Sequence, residues 1–299
     1  MIKKGIILAG GKGTRLSPLT KVLNKQLLPL YDKPLIFYPL SILMLAGIRD
    51  ILIITNKGET NLFKKILKNG KNIGINISYK EQKKPNGLPE AFIIGEKFIK
   101  NQSVALILGD NFFYGQGFTN RIKEKIQENR GATIFTYTVN NPSDYGIIEL
   151  DNNNKIKNIL EKPKKTKSKL AITGFYLFDN NVVNFSKKLK PSKRKELEIV
   201  DLIKKYFNQK TLDAEFMGRG SAWLDTGNIQ NLNETAQFIS SIERRQGLKI
   251  GCLEEIAYTS KWISKKDIIN SIKFYGNCEY SEYLKKISQW KLLTQNLMG

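Results

Sequence analysis

A short apolar run, Gly5-Ile6-Ile7-Leu8-Ala9, breaks directly into Gly10-Gly11-Lys12-Gly13-Thr14-Arg15, and Lys25-Gln26-Leu27-Leu28-Pro29 follows soon after. No other stretch restricts the fold as sharply. A run this short, apolar at every position, reads as a strand buried on both faces, which belongs in a sheet covered by helices on either side. Glycines directly after such a strand let backbone N–H groups approach a ligand with no Cβ in the way. Amides so arranged form an anion-binding concavity, and Lys12, Arg15 and Lys25 place three cations near it in sequence. The stretch predicts a polyphosphate cradle at the mouth of an α/β sheet. A tight strand-to-helix turn with solvated basic residues would give the same letters.

Two familiar loops are excluded. The dinucleotide fingerprint G-x-G-x-x-G fits Gly11 and Gly13 but meets Leu16 where its third glycine belongs. The P-loop needs Lys followed by Ser or Thr, and Lys12 is followed by Gly13.

Apolar runs at 51–54, 104–108 and 133–137 predict further strands. Helical patterns occupy 34–46, 59–67, 89–98 and 118–128, with Pro34 and Pro89 at starts and Gly47 and Gly70 at ends. This alternation predicts an α/β fold: a Rossmann-like, mostly parallel (mixed) central sheet with helices on both faces. Ligands in such sheets sit beyond the carboxyl ends of the strands. Asp110 follows the strand at 104–108 and should emerge there, where a carboxylate suits Mg²⁺ or simply a turn. Asp225, in Trp223-Leu224-Asp225-Thr226-Gly227, reads by itself as an N-cap. From Asn228 onward Leu232, Ala236, Ile239 and Ile242 recur at helical spacing. The chain therefore divides into a core over 1–227 and a C-terminal helical region over 228–299.

The chemistry is bounded by what the chain lacks. Its 299 residues include no histidine, which removes Ser-His-Asp and Cys-His nucleophiles and histidine-ligated zinc. Carboxylates, lysines, arginines and an oxygen-bound hard metal remain. Cys252 and Cys278 form neither a disulfide framework nor a zinc pattern. With no signal peptide and no span-length apolar segment, a cytoplasmic protein with no membrane partner is expected. The formal charge of +22 favours anionic partners. The lysines are scattered rather than gathered in one stripe with aromatics, so no nucleic-acid partner is expected.

The motifs converge on one family. Leu8 to Arg15 and Lys25 to Pro29 resemble the sugar-phosphate nucleotidyltransferases. Tyr31-Asp32-Lys33-Pro34, Leu108-Gly109-Asp110-Asn111, Asp144-Tyr145-Gly146, Glu161-Lys162-Pro163, Thr173-Gly174, Glu196-Leu197-Glu198-Ile199, Trp223 to Gly227 and Glu243-Arg244-Arg245-Gln246-Gly247 follow in the family's order. From about Lys4 to Leu284 the chain is similar to the short-form glucose-1-phosphate thymidylyltransferases. The resemblance implies transfer of a nucleotidyl group from dTTP to glucose 1-phosphate, with Mg²⁺ as cofactor. Product dTDP-glucose would feed deoxysugar synthesis, rhamnose foremost. The same chemistry with UTP or another sugar phosphate is an alternative, as is a catalytically silent nucleotide-binding relative.

By that resemblance, Arg15, Lys25 and Lys162 would be catalytic. Leu8, Gly10, Gly11, Gly13, Thr14, Arg15, Lys25, Gln26, Gln82, Gly87 and Asp110 would hold the nucleotide, with Gln82 and Gly87 on the pyrimidine edge. Tyr145, Gly146, Glu161, Lys162, Gly174 and Tyr176 would hold the sugar phosphate, with Trp223 shaping the wall. Asp110 and Asp225 would bind the metal. Gly115, Arg219, Glu255 and Ile256 would form a regulatory site for feedback by the downstream nucleotide sugar, and the C-terminal helices would join a homotetramer. Three positions depart from the family pattern: Pro89-Glu90 replaces the usual Ala-Gln beside Gly87, Gln116 a frequent histidine, and Thr259 a frequent basic residue.

Overall fold

The computed structural model of the chain describes residues 1–290. In chain order, β1 (Lys4–Ala9) is followed by a small hairpin of β2 (Pro29–Leu30) and β3 (Lys33–Pro34), then α1 (Phe37–Leu45), β4 (Asp50–Asn56), α2 (Thr60–Leu67), β5 (Asn76–Gln82), α3 (Glu90–Ile94), α4 (Glu96–Ile99) and β6 (Val104–Leu108). Next come β7 (Asn111–Gly115), α5 (Phe118–Glu128), β8 (Ala132–Thr138), β9 (Gly146–Leu150), β10 (Ile156–Glu161) and β11 (Leu170–Phe178). After them run α6 (Val182–Lys187), α7 (Ile199–Asn208), β12 (Leu212–Phe216), β13 (Ser221–Asp225), α8 (Ile229–Gln246), α9 (Leu253–Thr259), α10 (Lys265–Tyr275) and α11 (Glu279–Ile287).

The main sheet has nine strands, with β10-β9-β11-β6-β1-β4-β5 in line, β8 on β11 and β12 on β8. β1 sits inside it, parallel to both β4 and β6, with Ile6 opposite Leu52 and Leu106. Successive side chains leave a strand on opposite faces. Ile7 accordingly packs with Leu40, Phe63 and Ile122 on one side, and Ile6 with Phe92, Val182 and Tyr206 on the other. Both faces are covered, as the uniformly apolar run requires. The sheet is mixed because β11 runs antiparallel to β6 and to β8.

β11 is also divided along its length. Leu170 and Ala171 pair with β9, whereas Phe175 to Phe178 pair with β6. Its register against β8 shifts between Ile172 and Tyr176. The sheet therefore parts at Thr173-Gly174, beside the carboxyl end of β6, and that gap becomes one wall of the site.

The expected strands all form. Three expected boundaries are corrected. Pro34 does not start a helix: it pairs with Pro29 in the hairpin, and α1 begins at Phe37. The expected helix over 89–98 is broken at Gly95 into α3 and α4. α2 ends at Leu67, and Gly70 opens a 3-10 turn instead of capping it. Gly47 does follow α1 at φ +80°. α1 is buried on nearly every side, which suits its lack of a polar face.

Asn228 caps α8, its side chain accepting from Asn231 N–H at 2.8 Å. The helix runs on to Gln246, past the expected 243. α8 packs against β13 and β2, and α9 against α1. Buried charges join the two ends of the chain. Lys33 lies 3.2 Å from Glu243 and 2.5 Å from Asp32, and Lys249 reaches Asp32 and Glu243. Positions 291–299 of the expected helical region lie outside the described residues. Cys252 is buried and Cys278 exposed, both free. Among the described residues no helix is long and apolar enough to cross a membrane.

Candidate active site

A cleft of about 370 Å³ opens over the carboxyl ends of β1, β5 and β6 and against the parted β11. That volume is in the range of small-molecule sites. Leu8, Gly10, Gly11, Arg15, Gln82, Gly87 and Asp110 line it, and so does every residue expected at the sugar phosphate: Tyr145, Gly146, Glu161, Lys162, Gly174 and Tyr176. Asp225 and Trp223 complete the wall. Gly13, Thr14, Lys25 and Gln26 are not part of the lining. Gly13 heads a 3-10 turn that carries Thr14 and Arg15, and its carbonyl accepts from the Thr20 hydroxyl at 2.8 Å. Gln26 is buried, its Oε1 without a protein partner among the described residues.

The glycine loop is braced from β4. Asn56 accepts from the Gly11 N–H at 2.8 Å and donates to the Gly11 carbonyl at 3.0 Å. Glu59 in turn accepts from Asn56 at 2.9 Å. Sequence reasoning did not single out Asn56. Its position at the end of a parallel strand adjoining β1 is the signal that would have found it.

The two aspartates meet through a small second sheet. β7 and β13 pair antiparallel with Asp225 opposite Asn111, so Asp110 and Asp225 leave adjacent strand ends. Thr226 donates twice to the Asp110 carbonyl, from N–H at 3.1 Å and hydroxyl at 2.7 Å. Lys25 makes a charged hydrogen bond to Asp110 Oδ2, and Asn111 donates to Oδ1 at 3.0 Å. Burial works to raise the Asp110 carboxyl, but Lys25 and Asn111 outweigh it and hold it below the usual range. Asp225 has no such anchor. Burial first, then the charge of Asp110, push it up against the opposing pull of Lys25 and Arg15. A second cation between the carboxylates would relieve both effects. Among the described residues no three histidine, cysteine, aspartate or glutamate groups converge on a metal position. Two carboxylates plus phosphate oxygens and water is nonetheless the donor set Mg²⁺ commonly takes.

Gln82 ends β5, buried at 5% exposure. Its Nε2 donates to Glu90 at 2.5 Å, and Asn86 donates to the other Glu90 oxygen at 2.7 Å. Gly87 follows at φ +102°, bridged to Leu197 so closely that an added Cβ would stand 2.0 Å from the Leu197 carbonyl oxygen. No other residue fits there.

At the opposite wall, Asn111 Oδ1 accepts from Trp223 Nε1 at 2.6 Å and from Gly174 N–H at 3.1 Å. The Trp223 ring meets Tyr145 edge-on, centroids 5.1 Å apart. Lys162 is exposed at φ +42°, its N–H donating to the Tyr145 carbonyl at 3.1 Å. Arg194, to which sequence reasoning gave no role, also lines the cleft and bridges Glu161 at 2.8 Å and Glu198 at 2.7 Å. Its surroundings carry no periodic pattern that would have marked it.

The four expected regulatory residues lie outside this cleft. Gly115 pairs with Ser221 across β7 and β13, and Arg219 is exposed just before β13. Glu255 and Ile256 are on α9. β7 and α9 both pack on α1, which places these residues on elements flanking one helix. Glu255 accepts from the Tyr283 hydroxyl at 2.7 Å, and burial raises its carboxyl to about 7.

Known proteins resemble this chain along most of its length. The sequence profile of the family described as Nucleotidyl transferase matches residues 4–242. A glucose-1-phosphate thymidylyltransferase of Neisseria meningitidis serogroup A is 50% identical over 284 residues, covering 95% of this chain and 99% of that protein. One from Xanthomonas campestris pv. campestris is 47% identical, covering 96% and 97%. Among solved structures, one from Bacillus anthracis with a provisional glucose-1-phosphate thymidylyltransferase assignment superposes with TM-score 0.73 at 37% identity, over 79% of this chain and 94% of that one. A UDP-glucose pyrophosphorylase complexed with UDP-glucose gives 0.71 at 28% identity, over 81% and 100%.

Proposed function

We infer the function from a premise the comparisons supply: the chain belongs to the nucleotidyl transferase family and, within it, to the glucose-1-phosphate thymidylyltransferases. It transfers the thymidylyl group of dTTP to glucose 1-phosphate, giving dTDP-glucose, a deoxysugar precursor, and pyrophosphate. The observation that carries this reading is the single cleft that holds Gly10, Gly11 and Arg15, both aspartates, and Lys162.

The chemistry suits a chain without histidine. A phosphate monoester loses its second proton near pH ~6, so the attacking oxygen is already charged and needs no general base. What must be supplied is alignment of two anions and compensation of their repulsion. Arg15 faces the triphosphate and the departing pyrophosphate. Lys25, held by Asp110, places its charge at the α-phosphate. Lys162 receives the sugar phosphate, with Tyr145, Gly146, Glu161, Gly174 and Tyr176 around the sugar. Gln82 and Gly87 meet the base. Asp110 and Asp225 would hold Mg²⁺, which when bound lends positive charge to the phosphate oxygens. In the same reading the protein works in the cytoplasm as a homotetramer built through its C-terminal helices. Gly115, Arg219, Glu255 and Ile256 serve a second nucleotide site.

The test is pyrophosphate release with Mg²⁺ and glucose 1-phosphate, with dTTP, UTP, CTP, ATP and GTP in parallel. Release led by dTTP, with UTP second, is expected. Release led by another nucleotide would keep the reaction class and discard the thymidylyl assignment; none at all would leave a silent nucleotide-binding relative.

A further inference from the structure

We propose that Glu59 is a positioning residue for the transfer: it ties the glycine loop to the segment carrying Lys25 and so fixes where the triphosphate lies against that cation. The role rests on the reading that this loop and this lysine receive the triphosphate. Both segments are short and irregular, and each is held by a carboxamide. Asn56, at the end of β4, accepts from the Gly11 N–H at 2.8 Å and donates to the Gly11 carbonyl at 3.0 Å. Asn24 caps the 3-10 turn Lys25–Leu27, accepting from the Gln26 N–H at 2.8 Å, and donates to the Ala9 carbonyl at 3.2 Å. Each amide then has one hydrogen left. Both of these end on a single atom, Glu59 Oε2, at 2.9 Å from Asn56 and 2.5 Å from Asn24.

A carboxylate can only accept, so Glu59 dictates which way both amides face. Turning either one over would set its oxygen against Oε2 and withdraw the acceptor from the Gly11 or the Gln26 N–H. At Asn24, only 5% exposed, water offers little compensation. Glu59 is itself placed by the main sheet: it stands directly before α2, and its N–H donates to the Asn56 carbonyl at 3.2 Å. Glu59, Asn24 and Asn56 do not line the cleft, whereas Gly11 and Asp110, the partner of Lys25, do. The carboxylate therefore reaches the reaction only through the two segments it joins. In-line transfer is sensitive to such spacing, because the reacting groups must be held in alignment.

The experiment measures steady-state kinetics of the full-length enzyme with Mg²⁺, dTTP and glucose 1-phosphate, well below the melting temperature of each variant. Glu59→Ala cuts the tie and should lower kcat about tenfold or more, with the KM for glucose 1-phosphate within about twofold of wild type. Glu59→Gln keeps one accepting oxygen for the two amides and should recover most of kcat. Cutting the tie at its other end should make the effects non-additive: in an Asn56→Ala background, Glu59→Ala should cost less than about twofold more. An unchanged kcat in Glu59→Ala, with only the melting temperature lowered, would reduce Glu59 to a support for α2 and overturn the proposal. Equal losses in Glu59→Gln and Glu59→Ala, or full additivity with Asn56→Ala, would overturn it as well. Lys25→Ala separates the two levels. If it lowers turnover while the Glu59 variants do not, the tie fails and the reading of Lys25 stands. If it leaves turnover intact, that reading and the tie fall together.

Discussion

Thr226 is tied twice to the carbonyl oxygen of Asp110, through its N–H at 3.1 Å and its hydroxyl at 2.7 Å. This contact fixes the spacing of two strand ends and therefore of the two carboxylates that follow from them. Thr226→Val keeps the shape and removes only the hydroxyl bond. It should lower stability by about 1 kcal/mol, read from urea melts. It should also raise the Mg²⁺ concentration needed for half-maximal turnover more than it raises either substrate KM.

Asp225 sits beside Asp110 without an anchoring cation of its own, and burial and repulsion push its carboxyl up. Asp225→Asn removes that repulsion. In chelator, the variant should melt at the wild-type temperature or above, while Mg²⁺-dependent pyrophosphate release falls by about 10²-fold or more. A lower melting temperature would show that the charge of Asp225 supports the fold.

Lys162 lines the cleft as an exposed cation directly after the end of β10. Lys162→Ala should raise the KM for glucose 1-phosphate at least about tenfold, with the KM for dTTP changed much less. Steady-state kinetics with each substrate varied in turn checks the split.

Glu255 carries a carboxyl raised to about 7 by burial, against an unfolded value near 4.5. A carboxylic acid raised in the folded state binds its proton more tightly there. Its stabilising contribution is fully present below about pH 4.5 and is lost as the pH rises through 7. Glu255→Gln keeps an acceptor for Tyr283 without the charge. Between pH 5 and 8 wild type should lose on the order of 2 kcal/mol more than the variant, measured by denaturant melts across that range.

The parts of this molecule legible in sequence are those with a local cause. The run at Gly5–Ala9, the strand at 104–108 and the glycine loop each announce themselves through burial or chain geometry, and they place Asp110 at the sheet edge. Asp225 was ambiguous because its partner stands 115 positions away in sequence and arrives only through the β7–β13 pairing. The polar alternation of β5 and the divided β11 carry no uniform pattern, since one lies at the sheet edge and the other changes neighbours midway. Asn56 and Arg194 share that difficulty. Each acts by bracing another residue, and a brace has no spacing of its own to read.

The buried pairing of Lys33 with Glu243 has a consequence for synthesis of the chain. The hairpin that carries Lys33 leaves the ribosome long before residue 243 does, and the intervening 210 positions take about 10–40 s at usual elongation rates. During that interval Lys33 has Asp32 beside it but lacks the second carboxylate that allows both ends to be enclosed. The nascent polypeptide must therefore keep this corner hydrated and open while the strands assemble, and closure waits for the last quarter of translation.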